Sequence, residues 1–319
     1  MKSSIFLTLF AIAATLGIFA QQSTPNLSGD LIIFHAGSLS VPMKELAVAF
    51  KKLNPDVNFL MESAGSVDCA RKITDLQKPC DILASADYSV IDKMLIPQYS
   101  DWNISFVANE MCLVYTMKAK YASEINRNNW FDILLRKDVA FSRSDPNADP
   151  CGYRSVMTMQ LAEKFYKKPG LADRLTAKDN NFVRPKEVDL LPLLETNSVD
   201  YIFLYKSVAV QHNLKFLELP PEINLRDPKL TGLYNSASVS INGKEPGMKV
   251  IMKGEPMIYG ITILKNAPNK KAALAFLEFL LSKEKGMKIM EKNGQPSVIP
   301  QKNPQFEKLP ESLKPFATR

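Results

Sequence analysis

Residues 31–34 read LIIF, and Ala36-Gly37-Ser38 follows them. A short apolar run closed by small residues reads as a buried strand. Past the turn, Met43, Leu46, Ala47, Phe50 and Leu53 fall on one face of a helix, which Asn54-Pro55 ends. Val57, Phe59 and Met61 alternate as a half-buried strand does. Ala64-Gly65-Ser66 turns the chain again, and a helix is predicted over residues 67–76. Residues 81–84 (DILA) read as a further buried strand and residues 88–95 as a further helix. Strand and helix alternating in this way predict a mostly parallel sheet with helices on both faces.

A second block of the same kind opens at residues 110–115 (EMCLVY). It carries a helix near 129–136, a strand at 139–142, helices over 150–167 and 185–195, a strand at 201–204 (YIFL) and a possible one at 215–217. Asn242-Gly243 is a hairpin signal. Residues 257–264 (MIYGITIL) read as a strand, residues 270–281 as an amphipathic helix and 284–292 as another. The tail, rich in Pro and Lys, reads as loose. No repeat or low-complexity linker separates the two α/β blocks, so they read as lobes joined by crossing strands.

The chain has 319 residues, 46% of them hydrophobic and 23% charged, which fits two compact domains or one large one and excludes collagen, coiled coil and wholesale disorder. Its net charge of +7 is spread along the chain and reads as a mild field favouring anions, not a nucleic-acid stripe. The first twenty residues stand apart: a short basic start, an uncharged apolar run from Ile5 to Ala20, then a polar stretch. That is the pattern of a secretory signal peptide, and the run is too short for a comfortable membrane span. Cys69, Cys80, Cys112 and Cys151 form no CxxC pair. Their spacing fits neither a zinc site nor a disulfide-dense scaffold, and bridged or free thiols both stay open.

Catalytic motifs are absent. There is no GxSxG, no phosphate-loop motif, no GxGxxG and no HExxH, and the two histidines, His35 and His212, make multi-histidine metal sites improbable. What does recur is a strand or loop, a small polar turn and a helix start: Ala36-Gly37-Ser38, Ala64-Gly65-Ser66, Asp149-Pro150-Cys151-Gly152 and Arg184-Pro185-Lys186-Glu187. Helix starts expose unpaired N–H groups and partial positive charge, so each can grip an anion. Any one of the four is more often a plain cap. Pattern alone reaches an exported two-lobed α/β protein with an affinity for anions.

At these turns a family resemblance becomes specific. Residues 34–42 (FHAGSLSVP) resemble the start of the tungstate/molybdate-binding proteins of ABC importers, in the archaeal-type class. So do residues 62–66 (ESAGS), 84–88 (ASADY), 143–154 (RSDPNADPCGYR), 200–209 (DYIFLYKSVA) and 259–263 (YGITI). They occur in order over nearly all of the exported chain. The resemblance implies a type II periplasmic-binding-protein fold: two α/β lobes with mixed, mostly parallel sheets and a two-strand hinge. It implies a leader over 1–20, a first lobe of residues 28–109 plus 266–319, a second of 110–265, and hinge points near 109–110 and 263–265. It also implies a non-enzymatic, monomeric, periplasmic or cell-surface protein that captures tungstate or molybdate and delivers it to an ABC permease. No cofactor, nucleic acid or direct membrane contact is expected.

Carried over by position, Ser38, Ser66, Pro150, Cys151 and Tyr205 contact the oxo groups, while Asp149 and Glu187 bond the metal of the oxyanion, with Asp189 the neighbouring alternative to Glu187 and Glu218 and Glu222 aligned to the lobe surface. Carboxylates beside a dianion look wrong by charge, because like charges a few ångströms apart repel by several kcal/mol at low effective dielectric. Tungsten(VI) and molybdenum(VI), however, can rise from four to six oxygens, and sulfur and phosphorus in their tetrahedral oxyanions cannot. Two acids would therefore admit metal oxyanions and repel sulfate or phosphate. Without the resemblance, Asp149 reads as a helix cap and Glu187 as a solvated first-turn residue. The rivals are a sulfate or phosphate receptor on the same fold, an exported hydrolase using Ser38 or Ser66, and a structural or adhesive protein.

Overall fold

The computed structural model describes residues 27–178, 181–243 and 247–319, so the expected leader lies outside the described residues. In the first block β1 (Gly29–Ala36), β2 (Val57–Ala64), β3 (Ile82–Ser85) and β4 (Ile104–Ala108) alternate with α1 (Ser40–Lys51), α2 (Ser66–Thr74) and α3 (Tyr88–Met94). The second block holds β5 (Met111–Tyr115), α4 (Trp130–Leu134), β6 (Phe141–Ser142), α5 (Pro150–Phe165), α6 (Leu171–Lys178), α7 (Leu191–Glu195), β7 (Tyr201–Tyr205), α8 (Lys206–Gln211) and β8 (Lys215–Glu218). After α9 (Thr231–Tyr234) come the hairpin strands β9 (Ser238–Asn242) and β10 (Lys249–Lys253), then β11 (Ile258–Ile263), α10 (Lys270–Leu281), α11 (Gly286–Lys292), β12 (Gln301–Lys302) and β13 (Ala317–Thr318).

Two mixed sheets result. The first is five-stranded, in the order β2-β1-β3-β11-β4, and the second four-stranded, in the order β6-β7-β5-β8. β1 runs parallel to β2 and β3, whereas β11 runs antiparallel to β3 and β4. In the second sheet β6 and β7 are parallel and β5 is antiparallel to β7 and β8. The antiparallel ladders sit where the chain passes between sheets, because a strand entering straight from the other lobe has no crossover helix to reverse it. β4 ends at Ala108 and β5 begins at Met111, so the first crossing takes two residues. Residues 258–263, assigned from sequence to the second lobe, hydrogen-bond within the first sheet.

Each sheet is sealed by aromatic side chains. Phe50 of α1 meets Phe276 of α10 edge-on at 5.4 Å and Phe59 of β2 at 6.0 Å. Trp130 of α4 meets Phe203 of β7 at 5.9 Å. Burying such a ring contributes about 1.5–3 kcal/mol, enough to fix which helix covers which face. Two sequence expectations are corrected. The helix expected over 185–195 is a 3-10 turn, Glu187–Leu190, followed by α7, and it starts two residues after Pro185. The tail is packed, not loose: Leu309 and Leu313 are buried, β12 pairs with β13, and Asn303 Nδ2 donates to Asn103 O at 2.8 Å. Two spaced leucines carry too little periodicity to stand out among prolines and lysines.

Candidate functional site

The parallel strands end at one place, as the topology of open α/β sheets dictates. β1 delivers Gly37-Ser38, β2 delivers Gly65-Ser66, and β3 delivers Ala86-Asp87. Across from them, the loop after β6 delivers Asp149, the 3-10 turn delivers Glu187, and β7 ends on Tyr205. Ser38, Ser66, Asp149, Cys151, Glu187 and Tyr205 are all fully buried, because the two lobes close over them.

Two glycines permit that closure. A Cβ on Gly65 would lie 2.1 Å from the Ala148 carbonyl oxygen, and one on Gly37 would lie 2.9 Å from Glu187 Oε2. Only a residue without a side chain lets the second lobe come this near. Further contacts cross the same seam: Asp68 N donates to Ala148 O at 3.3 Å, and Arg71 Nη1 to Asn147 O at 3.0 Å. On the far side of the site, Arg154 of α5 donates to Ala86 O at 2.6 Å and pairs with Asp87 Oδ2 at 3.2 Å. Tyr153 donates to the same Asp87 oxygen at 2.6 Å.

The two acids are the anomaly. Asp149 caps α5, accepting from Cys151 N through Oδ1 at 3.4 Å, but its Oδ2 and both Glu187 oxygens complete no hydrogen bond of normal geometry. A plain cap would face water, and so would a first-turn glutamate. Burial, and then the neighbouring Glu187 charge, pushes the Asp149 carboxyl well above the usual range. Burial also raises Glu187, with Asp149 and Ser38 pulling partly the other way. Buried carboxyls normally find hydrogen-bond partners, so two neighbouring acids buried on one wall of the cleft with three such oxygens stand out from the rest of the fold. Nearby acids are placed elsewhere. Asp189 pairs with Lys186 at 3.6 Å, and exposed Glu218 pairs with Lys206 and Arg127 at 2.8 and 2.9 Å.

The remaining sequence candidates divide. Tyr205 reaches the site and accepts from Arg154 Nη1 at 3.1 Å. Cys151 reaches it too, but its amide serves the Asp149 side chain, and Pro150 has no amide to offer. Ser38 Oγ is 2.9 Å from Tyr259 OH, and Ser66 Oγ accepts from Ala86 N at 2.9 Å, so neither serine is paired with a histidine. His35 instead sets Nδ1 against Ala36 O at 2.8 Å. Burial lowers its basicity. The four cysteines are free and buried. Sequence reasoning quoted Arg154, Asp87, Tyr153 and Tyr259 within family motifs and Asn109 at a hinge, but gave none of them a role in the site. The lone charge in α5 before Glu163 was the available signal for Arg154.

Residues 31–295 match the family described as bacterial extracellular solute-binding protein. The chain belongs to this family. A curated relative from Petrotoga mobilis, an uncharacterized solute-binding protein, is 47% identical over 91% of each chain. The molybdate/tungstate-binding protein WtpA of Pyrococcus abyssi is 42% identical, covering 98% of this chain and 97% of its own. Among solved structures, the Azotobacter vinelandii periplasmic molybdate-binding protein superposes with a TM-score of 0.63 at 16% identity, covering 85% of this chain and all of that one. The sulfate-binding protein SubI of Mycobacterium tuberculosis superposes at 0.59 and 14%, covering 84% and 87%. At such identities these structures share the two-lobed fold of solute-binding proteins and nothing narrower. No helix among the described residues is long and apolar enough to cross a membrane.

Proposed function

We propose that this solute-binding protein captures tungstate or molybdate between its lobes and presents the closed form to an ABC permease, as an exported monomer working in the periplasm or at the cell surface without catalysis. The observation that carries the reading is the pair of fully buried acids, Asp149 and Glu187, three of whose oxygens complete no hydrogen bond of normal geometry. Sulfur and phosphorus oxyanions have no open coordination position for a carboxylate. Tungsten(VI) and molybdenum(VI) have two. Ser38, Ser66 and Tyr205 would donate to the oxo groups, each charge-assisted bond contributing roughly 1.5–3 kcal/mol. Pro150 and Cys151 would shape the turn, the Cys151 amide steadying Asp149 instead of an oxo group.

Capture would be a two-state event: ligand bridges both half-sites and stabilises the closed arrangement. The outgoing crossing is residues 109–110. The return crossing is assigned to residues 254–257, ahead of β11, in place of 263–265, because β11 pairs with β3 and β4. The lobes then divide as residues 28–109 plus 258–319, and 110–253. Titration calorimetry of the exported chain decides the ligand. Tungstate and molybdate should bind far more tightly than sulfate or phosphate, and tungstate at a hundred times its Kd should stabilise the fold by about 2.7 kcal/mol. Sulfate matching tungstate would overturn the assignment in favour of a general anion receptor.

A further inference from the structure

We propose that Arg154, and Asn109 acting through Tyr259, are positioning residues that load the site's hydroxyls as acceptors, so that the hydroxyl protons are left for the ligand's oxygens. The inference rests on the function proposed above and assigns roles to residues that touch no ligand atom there. A hydroxyl has one proton and two lone pairs, so in a dry pocket its usefulness to an anion depends on what its other neighbours are.

At Tyr205 the neighbour is a guanidinium, which can only donate: Arg154 Nη1 lies 3.1 Å from Tyr205 OH. Arg154 is itself buried and clamped by Ala86 O and Asp87, so it cannot swing away without breaking an ion pair. At Ser66 the neighbour is the Ala86 amide, also donor only, at 2.9 Å. The two ends of one residue thus set two hydroxyls: Ala86 N faces Ser66, and Ala86 O anchors the arginine that faces Tyr205.

At Ser38 the polarity is set at one remove. The Asn109 side chain is fixed in orientation, because its Oδ1 accepts from the amides of Glu110 at 3.0 Å and Ser207 at 3.3 Å. Its Nδ2 therefore faces Ser207 Oγ at 2.7 Å and Tyr259 OH at 2.9 Å, donating to both. Tyr259 is fully buried, and Ser38 Oγ, at 2.9 Å, is the acceptor its hydroxyl meets among the described contacts. Donation from Tyr259 to Ser38 satisfies every group in the chain, and the reverse would strand the Tyr259 proton. Ser38 then keeps its own proton for the site. The Arg154 clamp joins α5 to the end of β3, so the Tyr205 donor is set only when the lobes meet.

Double-mutant cycles read by tungstate calorimetry on the exported chain test this. Tyr259→Phe should weaken tungstate about tenfold in the parent background, yet less than twofold once Ser38→Ala is present. Arg154→Met should likewise cost several-fold in the parent and little beside Tyr205→Phe, and Arg154→Lys should recover part of the loss. Equal factors in both backgrounds would mean the second residue acts by packing alone and would overturn the proposal. So would a Tyr259→Phe variant that binds tungstate as the parent does. If Tyr259→Phe does not fold, the Arg154 cycle decides by itself. Failure of the parent to bind tungstate, by contrast, would sink the ligand assignment and not this relay.

Discussion

The two walls of the cleft are made of opposite chemistry. The wall at the ends of β1, β2 and β3 is rich in small groups, Gly37, Ser38, Gly65, Ser66 and Ala86, and its one acid there, Asp87, is taken up by Arg154 and Tyr153. The facing wall carries two buried acids, Asp149 and Glu187, and Glu187 Oε2 would lie 2.9 Å from a Cβ on Gly37 of the first wall. A first wall paired with a copy of itself would grip any anion, and two acidic walls would grip none. On the function proposed above, the pairing is selective because the two halves bring different chemistry to the ligand. One half offers protons, and the other needs an acceptor of lone pairs that is not a proton. A four-oxygen guest with a metal centre answers both needs.

The sharpest way to break this contrast is to remove the acids. Asp149→Ala and Glu187→Ala should each weaken tungstate by a hundredfold or more, about 2.7 kcal/mol by the usual conversion. Asp149→Asn should keep the cap while losing the metal bond, and sulfate should gain in the same variants as the repulsion goes. Calorimetry with both anions checks the two halves of the statement. Parallel losses for tungstate and sulfate would show that the acids only maintain the fold.

Closure comes next in size. Gly65→Ala puts a methyl 2.1 Å from a backbone carbonyl, which cannot yield without parting the lobes, whereas Gly37→Ala meets the end of a side chain at 2.9 Å. Gly65→Ala should therefore cost tungstate affinity on the order of tenfold or more, and Gly37→Ala clearly less. Small-angle scattering with tungstate should show the Gly65→Ala chain remaining more extended. An unchanged scattering curve would argue that the seam at Ala148 is not formed on binding.

The sequence carried the scaffold of this argument unevenly. Sequence signals located β1, β3, β5, β7, β11 and α10 from the dense apolar runs they bury, and β2 from its apolar alternation. The Gly-Ser turns and Asp149 were visible as helix starts. Their burial was not, since a cap in solvent and a cap in a closed cleft have the same local sequence. Tyr259 and Asn109 were hidden for a stronger reason: their partners lie 221 and 98 residues away. Only the closing of a sheet by β11 brings them together. Glu187 was already preferred to Asp189 by the family resemblance, but their different surroundings were not legible: the 3-10 turn buries Glu187 and leaves Asp189 on Lys186.

The smallest expected effect concerns the acids when no ligand is present. Asp149 and Glu187 both have closed-form carboxyl pKa values raised above their unfolded values, first by burial. A raised acid binds more protons in the folded chain than in the unfolded one. Its contribution to stability is therefore complete below about pH 4, where the unfolded group titrates, and is lost as pH rises through the folded pKa. The ligand-free protein should accordingly melt at a lower temperature as pH is raised from about 4 towards neutrality, and Glu187→Gln should flatten that slope. At neutral pH the Glu187→Gln chain should melt a few degrees above the parent, a gain on the order of 1 kcal/mol, while binding tungstate far more weakly. Stability and capture moving in opposite directions is what a pair of acids kept for a metal centre requires. If Glu187→Gln lowers the ligand-free melting temperature instead, the carboxylate is holding the closed fold together through the protein's own contacts, and the contrast between the two walls loses its acidic half.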